Sequence, residues 1–217
     1  MADKLVFRCC ASADPQTPLF LKAYLPWEKT KYRRERSMNK IVPEELWPHV
    51  VTMIDYGRVD RPLAGADSFY FIVFPDLNEG SLLDLLTLAP GLSYRARWYL
   101  CCSIARNIFY FLRCGLAHLD LKIDNVMLYL DRMRHFCTVL IDLDASASLS
   151  ELVARWCGTL DYTAPEVAPF WNSTGAAFDP EKVDVFQFGT LLYCILFNLS
   201  PFGQISNPID IKTDERY

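Results

Sequence analysis

Along the chain the spacing of apolar and polar positions changes near residue 80. Before that point, short runs rich in β-branched and aromatic residues predict strands over Leu5–Cys10, Pro18–Ala23, Val50–Tyr56 and Phe69–Phe74. The first two flank Ala-Ser-Ala-Asp-Pro-Gln-Thr, whose turn formers predict a hairpin. Between the second and third runs, Glu28–Ile41 is rich in helix formers and predicts a helix that ends before Pro43. Pro75-Asp-Leu-Asn-Glu-Gly80 has turn chemistry and reads as a connector. Beyond it, Ser81–Leu88 and Tyr94–Cys114 repeat apolar residues at helical spacing, Val126–Tyr129 and Thr138–Ile141 predict brief strands, and Glu181–Leu199 predicts a long helix. That last helix is apolar on nearly every face, so it belongs in an interior. A strand-rich first third before a helix-rich remainder is an α+β arrangement with a hinge at residues 75–80.

Composition narrows the partners. At 217 residues and 52% hydrophobic, the chain can bury a core as one domain or two closely packed lobes. A net charge of −4 gives no general pull towards nucleic acid or an anionic membrane, and neither is expected as a partner. The local exception is Lys29 to Lys40, where six cations surround Glu35; it reads as a solvated helix face. Cysteines at 9, 10, 101, 102, 114, 137, 157 and 194 are scattered, with no C-x-x-C spacing. They predict reduced, mostly buried thiols in the cytoplasm or nucleus. The first residues contain no apolar stretch of signal-peptide length, and Val185–Phe197 is too short to span a bilayer.

The chemistry is concentrated in three blocks. His118-Leu-Asp-Leu-Lys-Ile-Asp-Asn125 is followed, seventeen residues after Asn125, by Asp142-Leu-Asp144, and then by Gly158-Thr-Leu-Asp-Tyr-Thr-Ala-Pro-Glu166. Phosphoryl transfer from a nucleotide needs a carboxylate to orient the attacking hydroxyl, oxygen ligands for Mg²⁺, and cations for the phosphates. Asp120, Lys122, Asn125 and Asp142 supply these types in sequence.

Together the blocks resemble the catalytic loop, metal-binding segment and A-P-E block of eukaryotic-type serine/threonine protein kinases. The resemblance covers roughly residues 5–203. It implies a two-lobed kinase-like fold: a reduced strand-rich N-lobe over 1–74, a hinge at 75–80, and a truncated helical C-lobe over 81–217. It also implies ATP and Mg²⁺ as cofactors and a protein substrate. By that resemblance Asp120 is the catalytic base, Lys122 contacts the transferred phosphoryl group, and Asn125 and Asp142 hold Mg²⁺ beside the nucleotide. Leu19-Phe-Leu-Lys22 resembles the strand lysine that grips the phosphates. Glu35 is the first candidate for its ion-pair partner, with Glu28 as the nearby alternative. Phe74 corresponds to the residue before the hinge, Ser81 or Asp84 is placed to reach the ribose, and Asp184 resembles the helix acid that anchors the catalytic loop.

Departures from the family pattern are specific. No glycine precedes Gly57, so the glycine-rich loop and the first strand are expected to be absent. Leu119 replaces the arginine that receives an activation-loop phosphate, so switching by phosphorylation at Ser146, Ser148 or Ser150 is not expected. Leu143-Asp144 replaces Phe-Gly, and the chain ends soon after the last predicted helix. Such pruning resembles kinase-like genes of large DNA viruses, which would place the protein in a host cell. Two functions are compatible with this set: an active serine/threonine kinase, or a pseudokinase that binds and modulates another kinase. A second copy, a partner kinase or the folded-back last segment is expected to cover the apolar final helix.

Overall fold

The structure, a computed structural model, describes residues 5–77, 79–131, 136–150, 158–167 and 178–202. The polar turn after Leu5-Val-Phe-Arg-Cys-Cys makes the expected hairpin: β1 (Leu5–Ala11) pairs antiparallel with β2 (Asp14–Tyr24). Asp14 closes the turn by accepting from the Thr17 hydroxyl at 2.5 Å. β3 (Asp55–Val59) and β4 (Phe69–Pro75) complete a four-stranded antiparallel sheet in the order β1-β2-β4-β3. Helix α1 (Lys29–Ile41) packs on β2 and β4, joining Tyr32 to a small core with Tyr24, Ile72 and Phe74.

The third strand begins later than its composition predicts. Val50–Met53 is not paired in this sheet. Val50 bridges to Leu140, the Val51 amide donates to the Leu140 carbonyl at 2.8 Å, and the Met53 amide donates to Asn39 Oδ1 at 2.9 Å. These apolar residues join the sheet to the helical part of the molecule, and bonding to β4 starts at the Ile54 amide, which donates to the Val73 carbonyl at 2.7 Å.

After the connector, α2 (Leu82–Leu88) starts on the Ser81 cap and α3 (Tyr94–Arg113) on the Ser93 cap. A short β5 (Leu116–Ala117) pairs with β8 (Ala147–Ser148), and β6 (Val126–Leu130) pairs with β7 (Phe136–Leu140). Helix α4 (Pro180–Phe197) starts with Asp179 as N-cap and Pro180 in its first turn, then ends at left-handed Asn198. The main core gathers Leu46, Leu82, Ile104, Phe111, Leu128, Leu140 and Ile195 from these elements. Buried Arg97 on α3 ties α4 down by donating to the Ile195 carbonyl.

Two expectations need correction. Helix α4 is not uniformly apolar where it is buried: Asp184, Gln187 and Thr190 lie inside with Val183, Leu191 and Ile195, while Val185 and Phe197 are 57% and 58% exposed. The cysteines are not mostly buried either. Of the seven described, Cys101 and Cys194 are buried, Cys10 and Cys102 are exposed, and all are free thiols. Neighbouring residues on a strand or helix face different ways, so an adjacent pair cannot both point inward. Cys157 lies outside the described residues. Among the described residues, no helix is long and apolar enough to cross a membrane.

Candidate active site

Residues 118–125 form a loop between β5 and β6 whose shape is imposed from beneath by α4. The Asp184 carboxylate is fully buried and accepts the main-chain amides of His118 and Leu119, each at 2.7 Å. Burial pushes the Asp184 carboxyl up to about 6, although the neighbouring His118 and the two amides oppose the shift. Gln187, one turn further along α4, accepts the Leu121 amide at 3.0 Å and donates to the Leu119 carbonyl at 3.2 Å. These bonds hold Leu119 at φ +64°, a left-handed conformation that is costly for a non-glycine residue. The Leu119 side chain lies in an apolar cluster with Ala145, Ala164 and Val167. Leu119 itself carries no charge to receive a phosphate, and the Arg34 guanidinium at this cluster donates to the Ala145 carbonyl at 2.9 Å.

The Asp120 amide donates to His118 Nδ1 at 3.3 Å, which assigns the ring proton to Nε2, 2.9 Å from the Ile141 carbonyl oxygen. That contact joins the loop to the segment carrying Asp142. A second join is the Ile141 amide, which donates to the Asn125 carbonyl at 3.0 Å. Around the Asp120 carboxylate, Asn125 Nδ2 donates at 2.9 Å, Thr159 Oγ1 donates at 2.7 Å, and Lys122 Nζ lies at 3.2 Å. Lys122 also donates to Thr159 Oγ1 at 2.7 Å. Asp120, Lys122, Asn125 and Thr159 thus form one connected cluster.

Lys22 hangs from β2 at the far wall of the same cleft, on the sheet face it shares with Val6 and Ile72 in register. Its ammonium is 2.6 Å from Glu35 Oε2 and 2.7 Å from Asp142 Oδ1. Burial works against this charge, but the carboxylates of Glu35, Asp142 and Asp144 outweigh it and hold Lys22 protonated beyond the ordinary lysine range. Glu35 is therefore the partner. Glu28 instead accepts the Leu25 amide at 3.1 Å. The Tyr24 hydroxyl also donates to Glu35 Oε2, and burial keeps that hydroxyl protonated. Asp142 sits at φ +68°, whereas Asp144 is not left-handed, so the missing glycine is not needed for backbone freedom at 144. Asp144 adds charge: ligand oxygens of Glu35, Asp142 and Asp144 lie within 4.8 Å of one another.

The cleft has a volume of about 570 Å³, within the range of small-molecule sites. Lys22, Lys122, Asn125 and Asp142 line it together with apolar Phe20, Phe74, Met127 and Ile141. Ser81 and Asp84 reach its edge, where Asp84 Oδ2 accepts from both the amide and the hydroxyl of Ser81. On its roof, Arg8 reaches from β1 to Asp76 at 3.1 Å. The donor set suits Mg²⁺: with Nδ2 committed to Asp120, Asn125 offers a carbonyl oxygen, and Asp142 offers a carboxylate.

Asp120, Lys122, Asn125 and Asp142 are thus gathered around one cleft. Five supporting residues were not named as site residues from the sequence. Thr159 appeared there only as part of the block Gly158–Glu166. Tyr24, Gln187 and the Arg8–Asp76 pair gave no local signal, because their partners lie far away in sequence.

A family model described as the protein kinase domain matches residues 20–216. The chain belongs to the eukaryotic-type serine/threonine protein kinase family. It is 30% identical over 158 residues to the liver/testis isoform of the phosphorylase b kinase gamma catalytic chain of Bos taurus, covering 71% of this chain and 36% of that protein. It is 28% identical over 163 residues to serine/threonine-protein kinase kin-29 of Caenorhabditis briggsae, covering 72% of this chain and 19% of that protein. The matches thus span about a third or less of those relatives' own length. As a kinase domain, the chain has a sheet lobe carrying Lys22 and a helical lobe portion carrying Asp120.

Proposed function

We propose that this kinase domain transfers the terminal phosphoryl group of ATP to serine or threonine hydroxyls of a protein substrate. The observation that carries the reading is the Asp120 carboxylate, fixed by Asn125 and Thr159 and balanced by Lys122, three residues that line a cleft together with Lys22 and Asp142. Asp120 orients the incoming hydroxyl and takes its proton as the new phosphorus–oxygen bond forms and the bond to the departing diphosphate breaks. Lys122 offsets charge on the moving group, and Lys22 grips the phosphates that remain. Asn125 and Asp142 would hold Mg²⁺, which when bound neutralises the phosphate oxygens.

A second reading has its own observation. Lys22 bonds directly to Asp142, one of the two metal-ligand candidates, under a roof that Arg8 and Asp76 tie together. A domain resting in this state could bind and modulate another kinase without transferring phosphate. Thermal melting with ATP, with and without Mg²⁺, separates the two. The active reading expects a Mg²⁺-dependent rise in Tm that Asp142→Ala removes. No shift at any nucleotide concentration would favour the binding module.

A further inference from the structure

On the side of α1 away from Glu35, a second hollow of about 420 Å³ opens against β3 and β4. Four cations line it, Lys29, Arg33, Arg36 and Arg58, among tyrosine rings, and no carboxylate does. Lys29, Arg33, Arg36 and Lys40 recur at intervals of four, three and four residues, so they stand along one face of α1. A merely solvated helix face leaves its lysines and arginines free to diverge into water. Here ring faces hold three of the four in place. Lys29 Nζ lies 5.6 Å from the Tyr70 centroid, the Arg36 guanidinium lies 5.5 Å from Tyr32 and 5.1 Å from Tyr56, and Lys40 Nζ lies 4.7 Å from Tyr56. Tyr32 and Tyr70 stack at 4.8 Å and form the wall behind.

These contacts gather positive charge without neutralising it. Among the four, only Arg58 has a carboxylate partner within the described residues: Asp60 at 2.7 Å, with both side chains more than half exposed. The Arg36 Nε–H is buried with no hydrogen-bond acceptor among the described residues. A chain of net charge −4 has acids to spare, yet none lines this hollow. Concentrated, unneutralised guanidinium groups around a concavity match a doubly charged oxyanion, which accepts several forked N–H donors at once. We propose that this hollow binds a phosphorylated side chain of a peptide, with the phosphate between Arg33, Arg36 and Arg58 and the flanking peptide against the tyrosines. A single concavity on an otherwise acidic chain fits one phosphate on a peptide better than the continuous phosphate track of a nucleic acid.

Fluorescence anisotropy on the full chain tests this with four probes: a labelled glycine–alanine peptide carrying one phosphoserine, its unphosphorylated parent, a labelled single-stranded oligonucleotide, and inorganic phosphate as competitor. The phosphopeptide should bind at least about tenfold tighter than its parent, and the advantage should shrink with added salt. The exposed-side variant Arg33→Ala with Arg58→Ala should remove that advantage while its melting temperature stays near that of the unaltered chain. Arg36→Ala should remove it too, but its packing between tyrosines makes it the less clean variant. Equal binding of phosphopeptide and parent, or an advantage that survives the double substitution, would overturn the proposal. Competition by inorganic phosphate as strong as by the phosphopeptide would show a free-anion site instead. Tighter binding of the oligonucleotide through the same arginines would make the surface a nucleic-acid face.

Discussion

On the floor of the cleft, His118, Asp120, Asn125 and Asp184 are each at most 7% exposed and linked by hydrogen bonds, whereas on the roof Val6 and Phe7 are 44% and 42% exposed. The floor is a buried polar network anchored to α4, and its members have defined partners. The roof is the β1–β2 hairpin, whose edge strand β1 pairs with β2 alone while β2 is also laddered to β4, with Arg8 reaching back to Asp76. Buried polar networks fix geometry because every unsatisfied group would be costly. An exposed hairpin fixes little. The comparison teaches that the geometry around Asp120 is the well-determined part of this domain, and the edge of the roof the adjustable one.

The harshest way to break the floor is Asp184→Ala. It strands two buried amides, and urea unfolding should show a loss of about 3–5 kcal/mol. A loss below about 1 kcal/mol would mean that the loop does not depend on α4. The same residue gives a pH signature. Its folded pKa of about 6 lies above the ordinary aspartate value of 3.8. Between those values the folded state binds the extra proton, so this group's contribution to stability falls as pH rises from about 4 to about 6 and is level above. The stability difference between the unaltered chain and Asp184→Asn should narrow over that window. A difference that widens with pH would reverse the assignment.

Lys22→Met tests where the two regions meet. It should lower phosphoryl transfer by about a hundredfold or more while the cleft keeps its fold, if Lys22 grips the phosphates as proposed. Transfer within a few-fold of the unaltered chain would place the phosphates elsewhere. Thr159→Ala should cost less, about tenfold in kcat with little change in KM for ATP, because it frees Asp120 to turn without removing it. A change confined to KM would make Thr159 a binding residue instead.

The smallest effect concerns the segment after Asp142. Ser146 is buried and donates to the His118 carbonyl at 3.2 Å, so only Ser148 and Ser150 are open to modification. Replacing both with alanine should leave the rate within a few-fold, because Leu119 stands where a phosphate-receiving arginine would be and cannot pair with a phosphate. A loss of two orders of magnitude would contradict that.

How much was legible in the sequence follows the same division. Asp120, Lys122, Asn125 and Asp142 could be read because phosphoryl transfer needs those types close together along one loop and the next strand end. Lys22 and Glu35 could be paired because one strand and the following helix bring them together. Thr159, Tyr24 and Gln187 were not read as site residues because each acts on a partner at least eleven residues away through a fold that had yet to be built. Val50–Met53 was read as strand because β-branched composition reports burial as well as pairing. Its bonds go to Leu140 and Asn39 instead. The apolar pattern of α4 concealed Asp184, Gln187 and Thr190 among its inward positions, although Asp184 was singled out by its resemblance.

The most direct test of the central claim is Mg²⁺-dependent transfer of labelled phosphate from ATP to protein serine or threonine, by the purified chain and by Asp120→Asn side by side. Transfer by the unaltered chain, falling by about a hundredfold or more in Asp120→Asn while nucleotide binding persists, is the predicted result. Equal transfer by the two proteins, or nucleotide binding without any transfer by either, would contradict it.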